Sequence, residues 1–140
     1  MNYAPIVLQT ADLEVIQGWY MSKNDPRVDA LREKMGQDRR LVVFFHENAG
    51  NLGLRLDYFE MLYKELNCDV IALAYRGYSA STGKPSEVGL KRDAQVVMEF
   101  VFEDLAPHYV DRGGVFVLGR SLGGAVAAAT VSALPDARLN

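Results

Sequence analysis

Hydrophobic positions follow two rhythms along the chain. Ile6 to Gln9 and Leu13 to Met21 are rich in strand formers and are separated by Thr10-Ala11-Asp12, which predicts an antiparallel hairpin closed by a turn. From Ser22 to Arg40 the composition turns polar. Within that stretch Asp25-Pro26 forms an N-cap and first-turn pair, Val28, Leu31 and Met35 recur at helical spacing, and Gly36 can stop the helix. The segment reads as a polar insertion carrying a short amphipathic helix. Leu41 to Phe45 is then a continuous apolar run, as expected of a strand covered on both faces. Leu54 to Leu66 places Leu56, Phe59, Leu62, Tyr63 and Leu66 on one helical face. Val70 to Ala74 repeats the strand, and a helix from Glu87 to about Glu103 follows, N-capped by Ser86, with Leu90, Ala94, Val97 and Val101 as its buried stripe. Val115 to Leu118 and Leu122 to Leu134 form a third pair. Three βα units in succession predict a mostly parallel, doubly wound sheet with right-handed crossovers and helices on both faces.

Composition narrows the picture only at its edges. The 140 residues are 49% hydrophobic and 24% charged, as in ordinary globular chains, and suffice for one domain. A net charge of −3 gives no electrostatic footprint for nucleic acid or an anionic membrane. No apolar run approaches the roughly 18 residues of a membrane span and no signal-peptide layout opens the chain, so it is expected to be soluble as it stands. The single cysteine, Cys68, leaves no intrachain disulfide, suits a reducing compartment, and is expected to be a small buried apolar residue. There is no P-loop and no His or carboxylate set with metal-ligand spacing, so no cofactor and no metal are expected.

The chemistry gathers at two strand-to-helix turns. Gly119-Arg-Ser-Leu-Gly123 fits G-x-S-x-G, with an apolar strand leading in and a helix of small residues leading out. Glycines at 119 and 123 allow the tight turn in which Ser121 sits strained with its hydroxyl exposed above the sheet. The competing reading is a glycine-rich βα turn with an incidental serine. His46-Glu-Asn-Ala-Gly-Asn51 follows the first parallel strand, so its loop faces the same sheet edge. A tetrahedral intermediate needs two converging backbone N–H donors; Asn48 is the candidate from this loop and Leu122, next after the serine, is the other. His46 is expected to order its loop by hydrogen bonding and not to act as a base.

These segments, His46 to Gly53 with Arg55-Leu56, Tyr75-Arg-Gly-Tyr-Ser-Ala-Ser-Thr-Gly-Lys-Pro-Ser-Glu87, Asp93-Ala-Gln95 and Gly119 to Val126, resemble the eukaryotic α/β-hydrolases related to α/β-hydrolase domain-containing protein 13. The related depalmitoylating enzymes have a similar Gly-Lys-Pro-Ser-Glu loop. The resemblance covers roughly Leu41 to Leu134 and implies that Ser121 is the nucleophile, that Asn48 and Leu122 are the oxyanion donors, and that the Tyr75 to Glu87 loop forms part of the rim. It implies a lipid-like or small-molecule acyl substrate and a strand order of hairpin, Val70 to Ala74, Leu41 to Phe45, Val115 to Leu118. The last strand is then an open edge, suited to a protein partner or to self-association.

Three departures accompany the resemblance. Glu47 stands where the family has glycine; a positive φ there would cost about 1–2 kcal/mol and misaim the Asn48 N–H, so Glu47→Gly is expected to raise activity. The membrane anchor common in the family does not precede the hairpin. The triad acid and histidine follow the nucleophile in this fold. Here His108, Asp111 and Asp136 fall at the opposite sheet edge, which makes the two carboxylates solvated loop residues and excludes His108 as base. The chain is therefore expected to be the amino-terminal half of a hydrolase, a single partial domain of hairpin (1–21), insertion (22–40) and three βα units (41–134). It would be inactive alone, or else serve as an interaction subunit without catalysis.

Overall fold

The computed structural model describes residues 2–22, 40–48, 52–105 and 114–135. The helix expected within the polar insertion, and His108, Asp111 and Asp136, lie outside the described residues. In chain order the elements are strands β1 (Asn2–Gln9), β2 (Val15–Ser22) and β3 (Arg40–Phe45), a 3₁₀ turn (Leu52–Arg55) leading into helix α1 (Leu56–Glu65), strand β4 (Cys68–Leu73), helix α2 (Glu87–Phe100) extended by a π turn (Val101–Leu105), strand β5 (Val115–Gly119) and helix α3 (Leu122–Ser132). The described residues form a five-stranded sheet in the order β1-β2-β4-β3-β5. The hairpin pairs antiparallel with itself and through β2 with β4, while β4, β3 and β5 run parallel.

This order follows from where the apolar runs are buried. All of β4 and every residue of β3 after Arg40 are buried, because helices cover both faces of the sheet centre. On one face Phe59 and Leu62 of α1 pack on Val42, Phe44, Val70 and Ala72. On the other, Leu90, Ala94, Val97 and Val101 of α2 and Val126 of α3 pack on Leu41, Val43, Phe45, Ile71 and Leu73. Successive strand residues point to opposite faces, which is why neighbouring residues of one apolar run feed two separate cores. Leu66 departs from its expected stripe. It caps α1, the chain reverses at Asn67 with φ +49°, and Leu66 is left 55% exposed. Ser86 caps α2 as its side chain predicts, its hydroxyl accepting from the Gly89 N–H at 3.0 Å. Cys68 is buried, and its thiol donates to the Leu62 carbonyl at 3.2 Å. Among the described residues no helix is long and apolar enough to cross a membrane.

An ionic network, buried at Arg76 and Asp93 and open to solvent at Asp12, joins the hairpin to the parallel part of the sheet. The Arg76 guanidinium donates to Asp93 Oδ1 through Nε at 3.0 Å and to Asp12 at 2.7 and 3.0 Å, and the Arg76 backbone N–H donates to Asp93 Oδ2 at 2.8 Å. Arg92 adds a further bond to Asp12 at 2.9 Å. Asp12 sits in the β1–β2 turn, Arg76 in the loop after β4 and Asp93 on α2, so three elements far apart in sequence meet at one cation. Hydrogen bonds from Arg76, then from Thr10, hold the Asp12 carboxyl well below the usual carboxylate range. Asp93 is only 1% exposed, and removing its carboxylate takes an acceptor from the buried Arg76 side chain and backbone N–H, while Asp12 still pairs with the guanidinium. Asp93→Ala is therefore expected to lower unfolding free energy by about 3 kcal/mol, measured by urea denaturation; a change under about 0.5 kcal/mol would show that the network adds nothing net.

Candidate active site

The turn between β5 and α3 is built by two backbone approaches that only glycine permits. Gly119 pairs with Phe45, and the next residue, Arg120, donates its backbone N–H to the Phe45 carbonyl at 3.2 Å. A Cβ on Gly119 would overlap the carbonyl of Gly123, and a Cβ on Gly123 would overlap that same Phe45 carbonyl. The chain is thereby forced through a sharp bend, and Ser121 adopts φ 53°, ψ −117°. For a residue with a side chain that conformation costs of the order of 1–3 kcal/mol, which surrounding contacts must over-determine. Ser121 precedes the first residue of α3 as its N-cap, yet its side chain makes no capping hydrogen bond, and the residue is exposed. Leu122 opens α3, where a helix offers backbone N–H groups and a partial positive charge.

The second loop leaves β3 directly beside this turn. A Cβ on Gly123 would also meet the His46 carbonyl at 2.8 Å, so the start of α3 lies against the backbone of the His46 loop. His46 is 5% exposed and its ring is committed at both nitrogens. The Tyr75 backbone N–H donates to Nε2 at 3.2 Å, which places the imidazole proton on Nδ1, and that N–H donates to the Glu47 carbonyl at 2.7 Å. The Tyr75 hydroxyl donates to the His46 carbonyl at 3.0 Å. Burial pushes the imidazole below its ordinary value, outweighing the Glu47 contributions that raise it, and burial pushes the Tyr75 phenol up. Tyr75 and Tyr78 ring His46 at centroid distances of 4.1 and 5.2 Å. Tyr78 donates its hydroxyl to Asn48 Oδ1.

Glu47 corrects one expectation. Its backbone is not among the positive-φ residues, so it carries no left-handed strain. Its side chain is 12% exposed and pairs with Arg55 at 2.5 Å, and more distantly with Arg120 at 3.8 Å. With no left-handed strain at Glu47, glycine offers this loop no conformational relief. Tyr75, Tyr78, Arg55 and Arg120 are the loop's partners that spacing alone leaves unassigned; the first two stand three apart in the Tyr75-Arg-Gly-Tyr78 turn, the one available signal.

Among the described residues no group of three or more His, Cys, Asp or Glu side chains could hold a metal ion. A groove of about 700 Å³ between α2 and α3 includes Lys91, Gln95, Met98, Ala129 and Leu134 in its lining. Its first α3 residue lies about 12 Å of helix rise beyond Ser121, so the groove is separate from the serine turn.

The chain is 36% identical over 137 residues to protein bem46 of Schizosaccharomyces pombe, covering 97% of this chain and 42% of that protein. It is 38% identical over 120 residues to the α/β hydrolase domain-containing protein WAV2 of Arabidopsis thaliana, covering 84% and 38% respectively. The esterase Pf2001 of Pyrococcus furiosus superposes with a TM-score of 0.71 at 21% identity, over 95% of this chain and 47% of that one. The chain thus belongs to the α/β-hydrolase superfamily. It spans less than half the length of the curated relatives bem46 and WAV2. No protein-family model matches it.

The tautomer of His46 is open to measurement. A long-range ¹H–¹⁵N spectrum is expected to show a neutral ring protonated at Nδ1 across neutral pH, titrating below the ordinary value of 6.5. An Nε2–H ring, or titration above that value, would refute the hydrogen-bond assignment.

Proposed function

We propose that the protein is a serine hydrolase that acts on an acyl ester, thioester or amide through Ser121. The observation that carries this reading is the Ser121 backbone at φ 53°, ψ −117°, at the end of a parallel strand and the head of a helix. The family fixes no substrate. The reaction requires the Ser121 Oγ to attack the acyl carbonyl while a base takes its proton; the tetrahedral oxyanion collapses with loss of the protonated leaving group, and water then releases the acid. The N–H groups of Asn48 and Leu122 are the donors for the oxyanion. Support for that pairing comes from Gly123, which packs on the backbone that leads into Asn48.

The base is not His46. Its Nε2 already accepts from Tyr75, its Nδ1–H is donated to Glu47, and desolvation disfavours the imidazolium that a base must become. His46 is the one histidine among the described residues, so a histidine base comes from outside them. In the complete protein, a fluorophosphonate is expected to label Ser121 and to leave Ser121→Ala unlabelled; a folded, unlabelled protein would overturn the reading. The 140-residue chain by itself is expected to hydrolyse p-nitrophenyl acetate no faster than its Ser121→Ala variant, since oxyanion donors without a base offer only residual catalysis.

The reading of the chain as an interaction subunit without catalysis is favoured by one feature. In the described sheet β5 is an edge, paired with β3 on one side only, and Phe116 on it is 49% exposed. We propose that another strand, from a partner protein or a second copy, covers this edge, because unpaired N–H and C=O groups on an apolar strand template pairing. Sedimentation of the 140-residue chain at micromolar concentration is expected to show oligomers or aggregates; a well-behaved monomer would contradict this.

A further inference from the structure

The Glu47 carboxylate is an unusual occupant of its position. One of its oxygens, Oε1, meets Arg55 at 2.5 Å, and the side chains of the pair are 12% and 19% exposed. The other, Oε2, is buried with no hydrogen-bond partner among the described residues. A buried carboxylate that is only half satisfied is costly, and an apolar side chain would avoid that cost. Arg120 lies 3.8 Å away, but its side chain is 65% exposed, so this second contact is screened and weak. The Arg55 contact dominates.

What this contact holds is visible from its neighbours. Three consecutive residues after β3 are each gripped by a different side chain. His46 is held by Tyr75, just beyond β4, through both ring and carbonyl. Asn48 is held by Tyr78 of the following turn. Glu47, between them, is the residue anchored by its charge, to Arg55 at the head of α1. Its carbonyl is at the same time the acceptor that fixes the His46 ring. The His46 carbonyl also lies against Gly123 of α3. A shift at Glu47 is therefore transmitted both to the Asn48 N–H and to the His46–Tyr75 contact.

We infer that Glu47 and Arg55 act together as a positioning pair that sets the Asn48 backbone N–H relative to that of Leu122, so that reactivity at Ser121 depends on the Glu47 charge. The inference rests on the serine hydrolase reading for its catalytic consequence, though not for the loop geometry. It also reverses the effect expected of Glu47→Gly from sequence: removing this side chain slows the reaction. A misplacement of about 1 Å in a catalytic constellation can cost about 10²-fold in rate.

The experiment uses the complete protein with Glu47→Gln, Arg55→Met and the double variant, each at a temperature where its melting curve shows it fully folded. Two quantities are read: the second-order rate of fluorophosphonate labelling at Ser121, and hydrogen exchange of the Tyr75 amide, which donates to His46 Nε2. Each single variant is expected to slow labelling by about 10-fold or more and to speed Tyr75 exchange by about 10-fold, with the double variant no worse than the more affected single one. A merely stabilising ion pair would lower the melting temperature and leave both rates of the folded protein unchanged, which would overturn the inference. So would additive losses in the double variant. If the parent protein is not labelled at all, the hydrolase reading fails by itself, and the exchange arm still decides whether the pair positions the loop.

Discussion

The carbonyl oxygen of Phe45 is the point on which the site depends. It accepts the backbone N–H of Arg120, and it occupies the space into which a Cβ on Gly123 would project. These two facts are one constraint: the end of β3 and the start of α3 touch backbone to backbone. The contact leaves Ser121 no relaxed conformation, because Gly119 is fixed by pairing with Phe45 on one side and the helix begins at Leu122 on the other. Strain at Ser121 is thus a consequence of parallel pairing followed at once by close helix packing. The two buried cores on either face of β3 and β4 supply the stabilisation that tolerates it.

The loop that faces the serine turn is ordered by a different kind of interaction. The apolar contacts that dominate the sheet cannot specify a loop, since a loop leaves its backbone groups without ladder partners. Here those groups are met by side chains: Tyr75 for the His46 carbonyl, the His46 ring for the Glu47 carbonyl and the Tyr75 N–H. Desolvation keeps the imidazole neutral, and neutrality is what lets one ring accept at one nitrogen and donate at the other. A protonated His46 would lose its bond from Tyr75.

The Asp12–Arg76–Asp93 network plays the matching role on the hairpin side. A two-stranded hairpin is marginal in isolation, and β1 and β2 are held to the parallel sheet by β2–β4 pairing and by this shared cation. Arg76 follows Tyr75 directly, so the same turn after β4 that holds His46 on one side anchors the hairpin on the other. The residues that anchor the hairpin and the His46 loop are thus adjacent in one turn.

Much of the frame was legible in sequence because it rests on local rules. The unbroken apolar runs at Leu41 to Phe45 and Val70 to Ala74 are what strands covered on both faces require, Ser86 carries its own capping oxygen, and the helical stripe of Leu90, Ala94, Val97 and Val101 is buried as its period dictates. The glycines at 119 and 123 mark a tight turn by their type alone. Sequence could not say whom a charged or aromatic side chain meets. Nor does it show that Glu47 avoids a left-handed backbone and pairs with Arg55, eight positions further along at the head of the next helix. That Tyr75 bonds His46 across 29 residues, and that Asp12 meets Arg76 across 64, depends on strand order and register. Periodicity is a property of the chain and survives in the sequence; the meeting of distant polar groups is a property of packing, and only the tertiary structure decides it.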